Sequence, residues 1–247
     1  RLKETFNINI KSTFLGAHAI PLKYKNNRKK YLDLLINEML PAIYEEKLAD
    51  YIDVFCETNY FNVDELDMIL EAGAKYNLKP KVHVNQFTSI GGIQKAVEYN
   101  AVSVDHLEVM EKNDYKCLKN SKTIATLLPS CSFFIGIPYA PAKKLIKENI
   151  PFALASDLNP GSSPNGNMNL VNSLACIKMK ISPETAINAS TINGAYAMEI
   201  SNITGSITKG KQANLIITKP IDSYSYLAYS FGENCISKTM IKGKWTK

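Results

Sequence analysis

The sequence predicts an α/β protein: an incomplete TIM (β/α)8 barrel, comprising about strands 3–8, followed by part of a small β-sandwich. Six short apolar runs alternate with longer helical patterns through most of the chain. Histidine or aspartate stands at the end of four of these runs, where a TIM barrel gathers its catalytic groups. Short strands separated by Gly and Lys turns then replace this alternation. We expect the barrel over residues 1–200 and the β-sandwich segment over 201–247.

The six predicted strands are near-continuous hydrophobic runs, as expected for parallel strands that helices cover. They lie at residues 9–19, 50–57, 79–87, 102–107, 123–130 and 151–157. A doubly wound sheet would place a glycine-rich phosphate loop after a strand, and the sequence contains none. Because a TIM barrel needs eight strands, we expect two more to precede Arg1, which opens the chain without a methionine.

Helical patterns separate these strands, and two of them begin with a recognisable cap. Asn62 is predicted to cap a helix, with Glu65 placed to complete a capping box. Ser182 is predicted to cap another helix, with Pro183 at its first position. The predicted helices cover residues 30–49, 63–76, 92–100, 140–148, 170–178 and 182–198, and residues 1–6 resemble the tail of a further helix.

The composition excludes several classes of protein. Hydrophobic residues make up 45% and charged residues 21% of the chain, which is ordinary for a globular protein. No apolar run approaches the roughly 20 residues of a membrane helix, and the start of the chain does not resemble a signal peptide. The five scattered cysteines form no CxxC pair, which favours reduced thiols in the cytoplasm. The net charge of +6 comes without a nucleic-acid reader motif, so neither a nucleic acid nor a membrane is expected as a partner.

All three histidines of the chain stand at the ends of predicted strands. His18, His83 and His106 each follow or end a different strand, and Asp157 ends a fourth. A lone histidine is more often a hydrogen-bonded, partly buried residue than a ligand, but this shared placement favours a functional site. Neutral imidazole and carboxylate suit Zn²⁺ or Fe. We therefore expect His83 and Asp157 to bind one metal ion, and Asp157 to accept a proton from the water that the metal activates.

His106 lies one predicted strand beyond His83, where it can act as an electrophile or acid toward a substrate carbonyl. Two ligands do not complete a metal site, so further ligands are expected from outside this chain.

Several segments resemble successive motifs of the imidazolonepropionases, in that family's order and across essentially the whole chain. They are STFLGAHAIP (12–21), IDVFCE (52–57), KVHVNQF (81–87), SVDHLE (103–108), TLLPSCSFF (126–134), YAPAKKLI (139–146), LASDLNPGSSP (154–164) and GSITKGKQANLII (205–217). The resemblance implies a metal-dependent TIM barrel of the amidohydrolase superfamily with a flanking β-sandwich. It also implies hydrolysis of the cyclic amide bond of 4-imidazolone-5-propanoate to N-formimidoyl-L-glutamate in histidine degradation.

The resemblance also implies a role for each matching residue. His83 and Asp157 match the metal ligands, and His106 matches the catalytic histidine. The matches to substrate- or product-binding positions are His18, Asn159, Gly161 and Ser162. A Gly-Ser turn after a strand can offer backbone N–H donors to an anion, which supports that match.

One position departs from the family's pattern. Imidazolonepropionases commonly carry glutamate three residues after the histidine that corresponds to His83, and this chain has Gln86. Glutamine can hydrogen-bond a substrate but cannot exchange protons at neutral pH. We expect Gln86 to bind substrate, with proton transfer falling to His106, Asp157 or a nearby carboxylate, for which Glu57 and Glu108 are candidates.

Two groups that the resemblance implies are missing from this sequence. It contains no HxH metal pair, and neither Arg1 nor Arg28 stands where it would clamp the propionate of the substrate. We therefore expect the chain alone to bind metal weakly and not to turn over substrate.

A homodimer is expected from the superfamily. Two alternative functions stay open. One is another cyclic amidohydrolase or deaminase, and the other is a non-catalytic relative, which the glutamine at Gln86 allows.

Overall fold

The computed structural model describes residues 2–246, which fall into two compact units. One unit is Lys11–Ala125, and the other contains the residues up to Ile10 together with those from Thr126 onward. The predicted boundary near residue 200, between a barrel and a β-sandwich segment, stays a prediction.

Six strands form a parallel sheet whose order is that of the chain, which confirms the predicted α/β class and all six predicted strands. The strands are β1 (Thr13–Ala17), β2 (Tyr51–Cys56), β3 (Lys79–Val84), β4 (Ser103–His106), β5 (Ile124–Leu127) and β6 (Phe152–Leu154). Each is shorter than its predicted run, because the apolar residues continue into the loops at the strand ends.

Helix α1 precedes β1, and helices α2 to α6 connect the strands from β1 to β5. They are α1 (Leu2–Thr5), α2 (Arg28–Leu34), α3 (Leu40–Glu45), α4 (Val63–Lys75), α5 (Gly92–Glu98) and α6 (Lys112–Lys119), with a 3-10 turn at Leu22–Tyr24. The capping box at the start of α4 is confirmed: Asn62 Oδ1 accepts from Glu65 N, and Glu65 Oε2 accepts from Asn62 N.

The helix predicted over 30–49 is interrupted by one π-helical stretch, Leu35–Met39, between α2 and α3. Pro41 explains the interruption, because its ring would clash with the carbonyl four residues before it and it has no N–H to donate.

Close contacts with glycine show which face of the sheet the helices cover. A Cβ added to Gly73 of α4 would lie 2.9 Å from Ile52, and one added to Gly92 of α5 would lie 2.8 Å from Val84. Ile52 and Val84 therefore point toward the helices. Side chains alternate along a strand, so Asp53 and His83, their neighbours in β2 and β3, point to the opposite face.

Besides α1, the second unit holds β6, six further helices and a small antiparallel sheet in the order β7-β8-β9. The six further helices are α7 (Pro129–Ile135), α8 (Ala142–Lys147), α9 (Met168–Ile177), α10 (Pro183–Ser190), α11 (Ile192–Ala197) and α12 (Tyr226–Tyr229). Its small sheet contains β7 (Leu215–Thr218), β8 (Ile236–Ile241) and β9 (Lys244–Trp245). The predicted Ser182 cap of α10 is confirmed, since its Oγ accepts from Thr185 N.

Two predictions of local structure were wrong in detail. The run 123–130 ends as a strand at Leu127, because Pro129 opens α7. Helix α6 was missed because its sequence, KNDYKCLK, is short and mostly polar, and only Tyr115 and Leu118 form its buried apolar face. The short strands expected in this last part of the chain are confirmed as β7, β8 and β9, and glycines with positive φ, at Gly205, Gly210 and Gly243, make turns before β7 and between β8 and β9. Among residues 2–246, no helix combines the length and the apolar character that crossing a membrane requires.

Candidate active site

The three histidines of the chain lie together at the carboxyl ends of β1, β3 and β4. The ring centroids of His83 and His106 are 5.4 Å apart, and those of His18 and His83 are 6.2 Å apart. Phe55 of β2 lies among them, stacked on His18 at 5.4 Å and within 6.5 Å of both other rings. The structure therefore brings together His18, His83 and His106, which are far apart in sequence.

Strained backbone marks the same strand ends. Asn85 follows β3 at φ 55°, His106 ends β4 at φ 90°, and Leu107 follows it at φ 64°. Residues with a side chain rarely adopt such left-handed values, which cost about 1–3 kcal/mol each and persist where the surroundings enforce them. Asp157, which follows β6 in the second unit, has φ 52°. Such strain clusters at functional sites, which supports the prediction that chemistry is located at these ends.

His83 belongs to a group of side chains that can bind a metal ion. One ligand atom each from Asp53, His83 and Asp105 lies within 4.8 Å of the other two. One imidazole with carboxylate oxygens is a donor set that suits zinc or iron. Among the described residues, Oδ1 of Asp105 is buried without a hydrogen-bond partner, as expected for an atom that a cation would stabilise. The residues present therefore fit the metal that His83 was predicted to bind.

Asp53 contacts His83 in two ways. Its Oδ1 accepts a hydrogen bond from His83 N at 3.2 Å, and its Oδ2 lies 2.9 Å from His83 Nδ1. The Nδ1 contact has the distance of an ion pair without the direction of a hydrogen bond. With both oxygens beside His83, Asp53 fixes the backbone of β3 at this residue and constrains the orientation of the ring.

His106 lies beside Glu108, one of the two carboxylates named as candidates for proton transfer. Its Nδ1 is 3.6 Å from Glu108 Oε2, and only 5% of the His106 side chain and 1% of the Glu108 side chain are exposed. This distance is too long for a good hydrogen bond. The structure therefore places the carboxylate of Glu108, rather than that of Glu57, next to the His106 ring.

Glu57, the other candidate, holds a loop instead. Its carboxylate accepts from the backbone N–H groups of Thr58 at 2.8 Å, Phe87 at 2.9 Å and Thr88 at 3.2 Å, and from the Thr88 hydroxyl. Both oxygens are occupied by these donors, so the side chain is poorly suited to exchange protons. Its contacts fix the loop that follows β3, which carries the buried Gln86.

In the second unit, the predicted substrate-binding residues form a self-contained turn. Asn159 Oδ1 accepts from Gly161 N at 2.9 Å and Ser162 N at 2.8 Å, and Asn159 Nδ2 donates to Asp157 O at 2.7 Å. The expectation that these two N–H groups are offered to an anion is therefore wrong for this structure, because Asn159 uses both. The substrate-binding roles of Asn159, Gly161 and Ser162, and the metal-binding role of Asp157, stay predictions.

Arg28 is paired with Glu65 of α4. Its Nε and Nη2 donate to the two carboxylate oxygens of Glu65 at 2.9 and 2.6 Å, and Nη2 also donates to Tyr60 O at 2.6 Å. The hydrogen bond with Glu65 raises the pKa of Arg28. The pairing ties the start of α2 to α4. Because Glu65 neutralises the positive charge of Arg28, this guanidinium is poorly suited to bind the carboxylate of a substrate.

Sequence reasoning missed three residues of this site. Asp53 could have been noticed, because it is a lone acidic residue inside the apolar run YIDVFC. Asp105 directly precedes His106, but its position opposite His83 depends on strand register. Phe55 carried no signal, because it resembles any other apolar residue of a buried strand.

Comparison with known proteins identifies related sequences over the whole chain. A family model described as "Amidohydrolase family" matches residues 21–246. The imidazolonepropionase of Flavobacterium johnsoniae is 59% identical over 99% of this chain, and that of Thermoanaerobacter pseudethanolicus is 42% identical over 97%. These alignments cover 59% and 57% of the two relatives, so the chain spans about three-fifths of the length of the proteins it matches.

Solved structures share the fold at much lower identity. An adenosine deaminase from Xanthomonas campestris with bound zinc superposes with a TM-score of 0.76 at 15% identity, covering 99% of this chain and 62% of the deaminase. A guanine deaminase from C. acetobutylicum with bound guanine gives 0.72 at 15% identity, covering 95% and 64%. At such identity the likeness is one of fold alone.

Proposed function

The chain belongs to the amidohydrolase family, and from this premise we propose that its protein is an imidazolonepropionase. The reaction is hydrolysis of the cyclic amide bond of 4-imidazolone-5-propanoate to N-formimidoyl-L-glutamate, a step of histidine degradation. The observation that carries the proposal is the cluster of His18, His83 and His106 at adjoining strand ends. Identities of 57–60% over 99% of the chain to proteins named imidazolonepropionase support it.

We assign His83 as a metal ligand, and Asp157 keeps that role on the sequence resemblance. When bound, a zinc or iron ion supplies an activated water, whose pKa it lowers toward neutrality, and polarises the ring carbonyl. Asp53 has both oxygens beside His83. We therefore assign it the task of orienting the imidazole, as carboxylates next to metal-binding histidines commonly do.

The assignment to Asp53 predicts that Asp53→Asn weakens metal binding about 10- to 100-fold, the usual cost of losing such a partner. The amide keeps the size of the side chain but removes the charge that holds the ring. Competition with a chromophoric chelator, at constant pH, measures the affinity. Asp33→Asn, at an exposed aspartate of α2, is the matched control and leaves the affinity unchanged. Equal affinity in Asp53→Asn and the control would remove Asp53 from the site.

In the proposed reaction, the oxygen of water adds to the ring carbonyl carbon and the carbon–nitrogen bond of the ring breaks. One proton leaves the water and one reaches the departing nitrogen, so the reaction consumes a single water molecule. We assign the proton of the water to Asp157, as the sequence predicts, and proton transfer at the substrate to His106, whose Nδ1 lies 3.6 Å from Glu108 Oε2. His18 and Gln86 hold the substrate.

Because Gln86 is assigned to substrate binding, Gln86→Glu is expected to change kcat less than about threefold, well below the 10²- to 10⁴-fold of a missing general base. Steady-state kinetics on imidazolone propionate measures the change. A gain of tenfold or more would mean that the natural chain lacks a working base. Such a gain would favour a weakened or non-catalytic relative.

A substrate panel tests the proposed function against its alternatives. The metal-loaded complete protein is offered imidazolone propionate, guanine and adenosine at equal concentrations. Guanine and adenosine are included because a guanine deaminase and an adenosine deaminase share the fold. We expect turnover of imidazolone propionate at least about 10³-fold faster, as sites built around specific polar contacts achieve. Faster turnover of guanine or adenosine would support a deaminase, and no turnover of any compound a non-catalytic relative.

Three further assignments accompany the proposed function. The six parallel strands are assigned as strands 3–8 of a TIM barrel, and β7–β9 as part of a flanking β-sandwich, in line with the fold of the amidohydrolase-like structures. A cytoplasmic location is supported by five cysteines that form no disulfide. Assembly as a homodimer stays a prediction.

A further inference from the structure

The loops that follow β3 and β4 are tied together by the side chain of Asn85. This residue is 1% exposed and directly follows β3. Its Nδ2 donates to Val109 O at 2.9 Å and to Asp114 Oδ2 at 3.1 Å, and its own carbonyl accepts from Val109 N at 2.9 Å. Asn85 therefore contacts the second loop through both its backbone and its side chain.

Asp114, at the start of α6, collects further donors from the same region. It is 1% exposed and accepts from Gln94 Nε2 at 2.8 Å, Glu111 N at 2.8 Å and Ser89 Oγ at 3.2 Å, in addition to Asn85. Hydrogen bonds to a charged acceptor are about twice as strong as neutral ones. One buried carboxylate thus joins α5, α6 and the two loops that follow β3 and β4.

These two loops carry the groups to which the reaction is assigned. Gln86 directly follows Asn85, while His106 and Glu108 flank Leu107 on the other loop. His106 and Leu107 have left-handed backbone, which must be enforced by its surroundings. The tie through Asn85 begins two residues beyond Leu107, at Val109.

We propose that Asn85 and Asp114 are positioning residues, which set the distance between Gln86 on one loop and the His106–Glu108 pair on the other. This inference rests on the proposed function. Neither side chain touches the substrate. Each acts by holding Gln86 and the His106–Glu108 pair at a fixed distance from one another. A displacement of about 1 Å in such groups can cost a factor of about 100 in rate.

Asn85→Gly tests the proposal, since glycine adopts the left-handed backbone without strain and removes the side chain with its amide, while the backbone hydrogen bond from Val109 N can stay. In the metal-loaded complete protein, kcat is expected to fall about 10- to 100-fold, with KM within threefold of wild type and metal content unchanged. Asn77→Gly is the matched control, because Asn77 is also left-handed, at φ 57°, but exposed. The control is expected to leave kcat within twofold of wild type.

A double-mutant cycle separates positioning from general destabilisation. Asp114→Asn alone is expected to lower kcat to a similar extent, and Asn85→Gly with Asp114→Asn to be no worse than the larger single effect, because both break one connection. Hydrogen exchange at Val109 N should accelerate in each variant. Additive losses in kcat, or a lowered melting temperature with kcat unchanged, would overturn the proposal. If Asn85→Gly does not fold, Ser89→Ala removes one donor to Asp114 and must still lower kcat.

The result separates this proposal from the proposed function. An inactive wild-type protein would contradict the proposed function, and the exchange rate at Val109 would then still report whether Asn85 holds the two loops. An active wild type with unaffected variants would contradict the positioning role alone.

Discussion

Replacing His106 with asparagine is expected to lower kcat by about 10²- to 10⁴-fold, the usual contribution of a general acid–base group. His106 is the assigned proton carrier, with Glu108 beside it in a buried setting. Asparagine suits this position because it tolerates left-handed backbone, and His106 has φ 90°. The loss is therefore chemical rather than conformational. Steady-state kinetics on imidazolone propionate, with metal content measured in parallel, gives the result.

His18→Asn is the comparison for this variant. His18 is assigned to substrate binding, so its replacement is expected to raise KM more than it lowers kcat. The opposite pattern, a large loss of kcat for His18→Asn and less than tenfold for His106→Asn, would exchange the roles of the two histidines.

Replacing His83 with alanine is expected to release the metal and lower kcat by about 10³-fold or more. A metal ion that polarises a carbonyl contributes several kcal/mol to the transition state, and each 1.36 kcal/mol is about tenfold in rate. The His83 side chain is 18% exposed at the carboxyl end of β3, so its loss leaves the apolar core intact. Metal content by mass spectrometry and kcat are measured on the same sample.

Two controls make the His83 result decisive. Asp33→Asn, at the exposed surface of α2, retains metal and activity, and circular dichroism shows that His83→Ala is folded. A folded His83→Ala protein that kept a full equivalent of metal, with kcat within tenfold of wild type, would remove His83 from the metal site.

Much of the fold could be predicted because local patterns decide it. The apolar run YIDVFC is buried along its whole length, so its hydrophobicity alone identified β2. Asn62 and Glu65 form the expected capping box, because that motif acts within four residues and needs no tertiary contact. The three histidines were identified by their positions at strand ends, since parallel strands bring these ends together.

What could not be predicted depends on contacts between strands and loops. Loop geometry decides whether Glu57 or Glu108 lies beside His106. The carboxylate of Glu57 accepts hydrogen bonds from the backbone N–H groups of Phe87 and Thr88 instead. The pairing of Asp53 with His83 depends on the register between β2 and β3, which the apolar pattern does not fix. Asn159 likewise takes the N–H groups of its own turn, a choice made by local hydrogen bonding.

The most direct test of the proposed function is the product formed by the complete protein from 4-imidazolone-5-propanoate. The protein is assayed as purified, after removal of metal with a chelator, and after zinc or iron is restored. We expect N-formimidoyl-L-glutamate, identified by mass spectrometry, to appear with the metal-loaded protein, to fall to the uncatalysed level without metal, and to return on reloading. Substrate left unchanged by the fully metal-loaded protein would contradict the assignment.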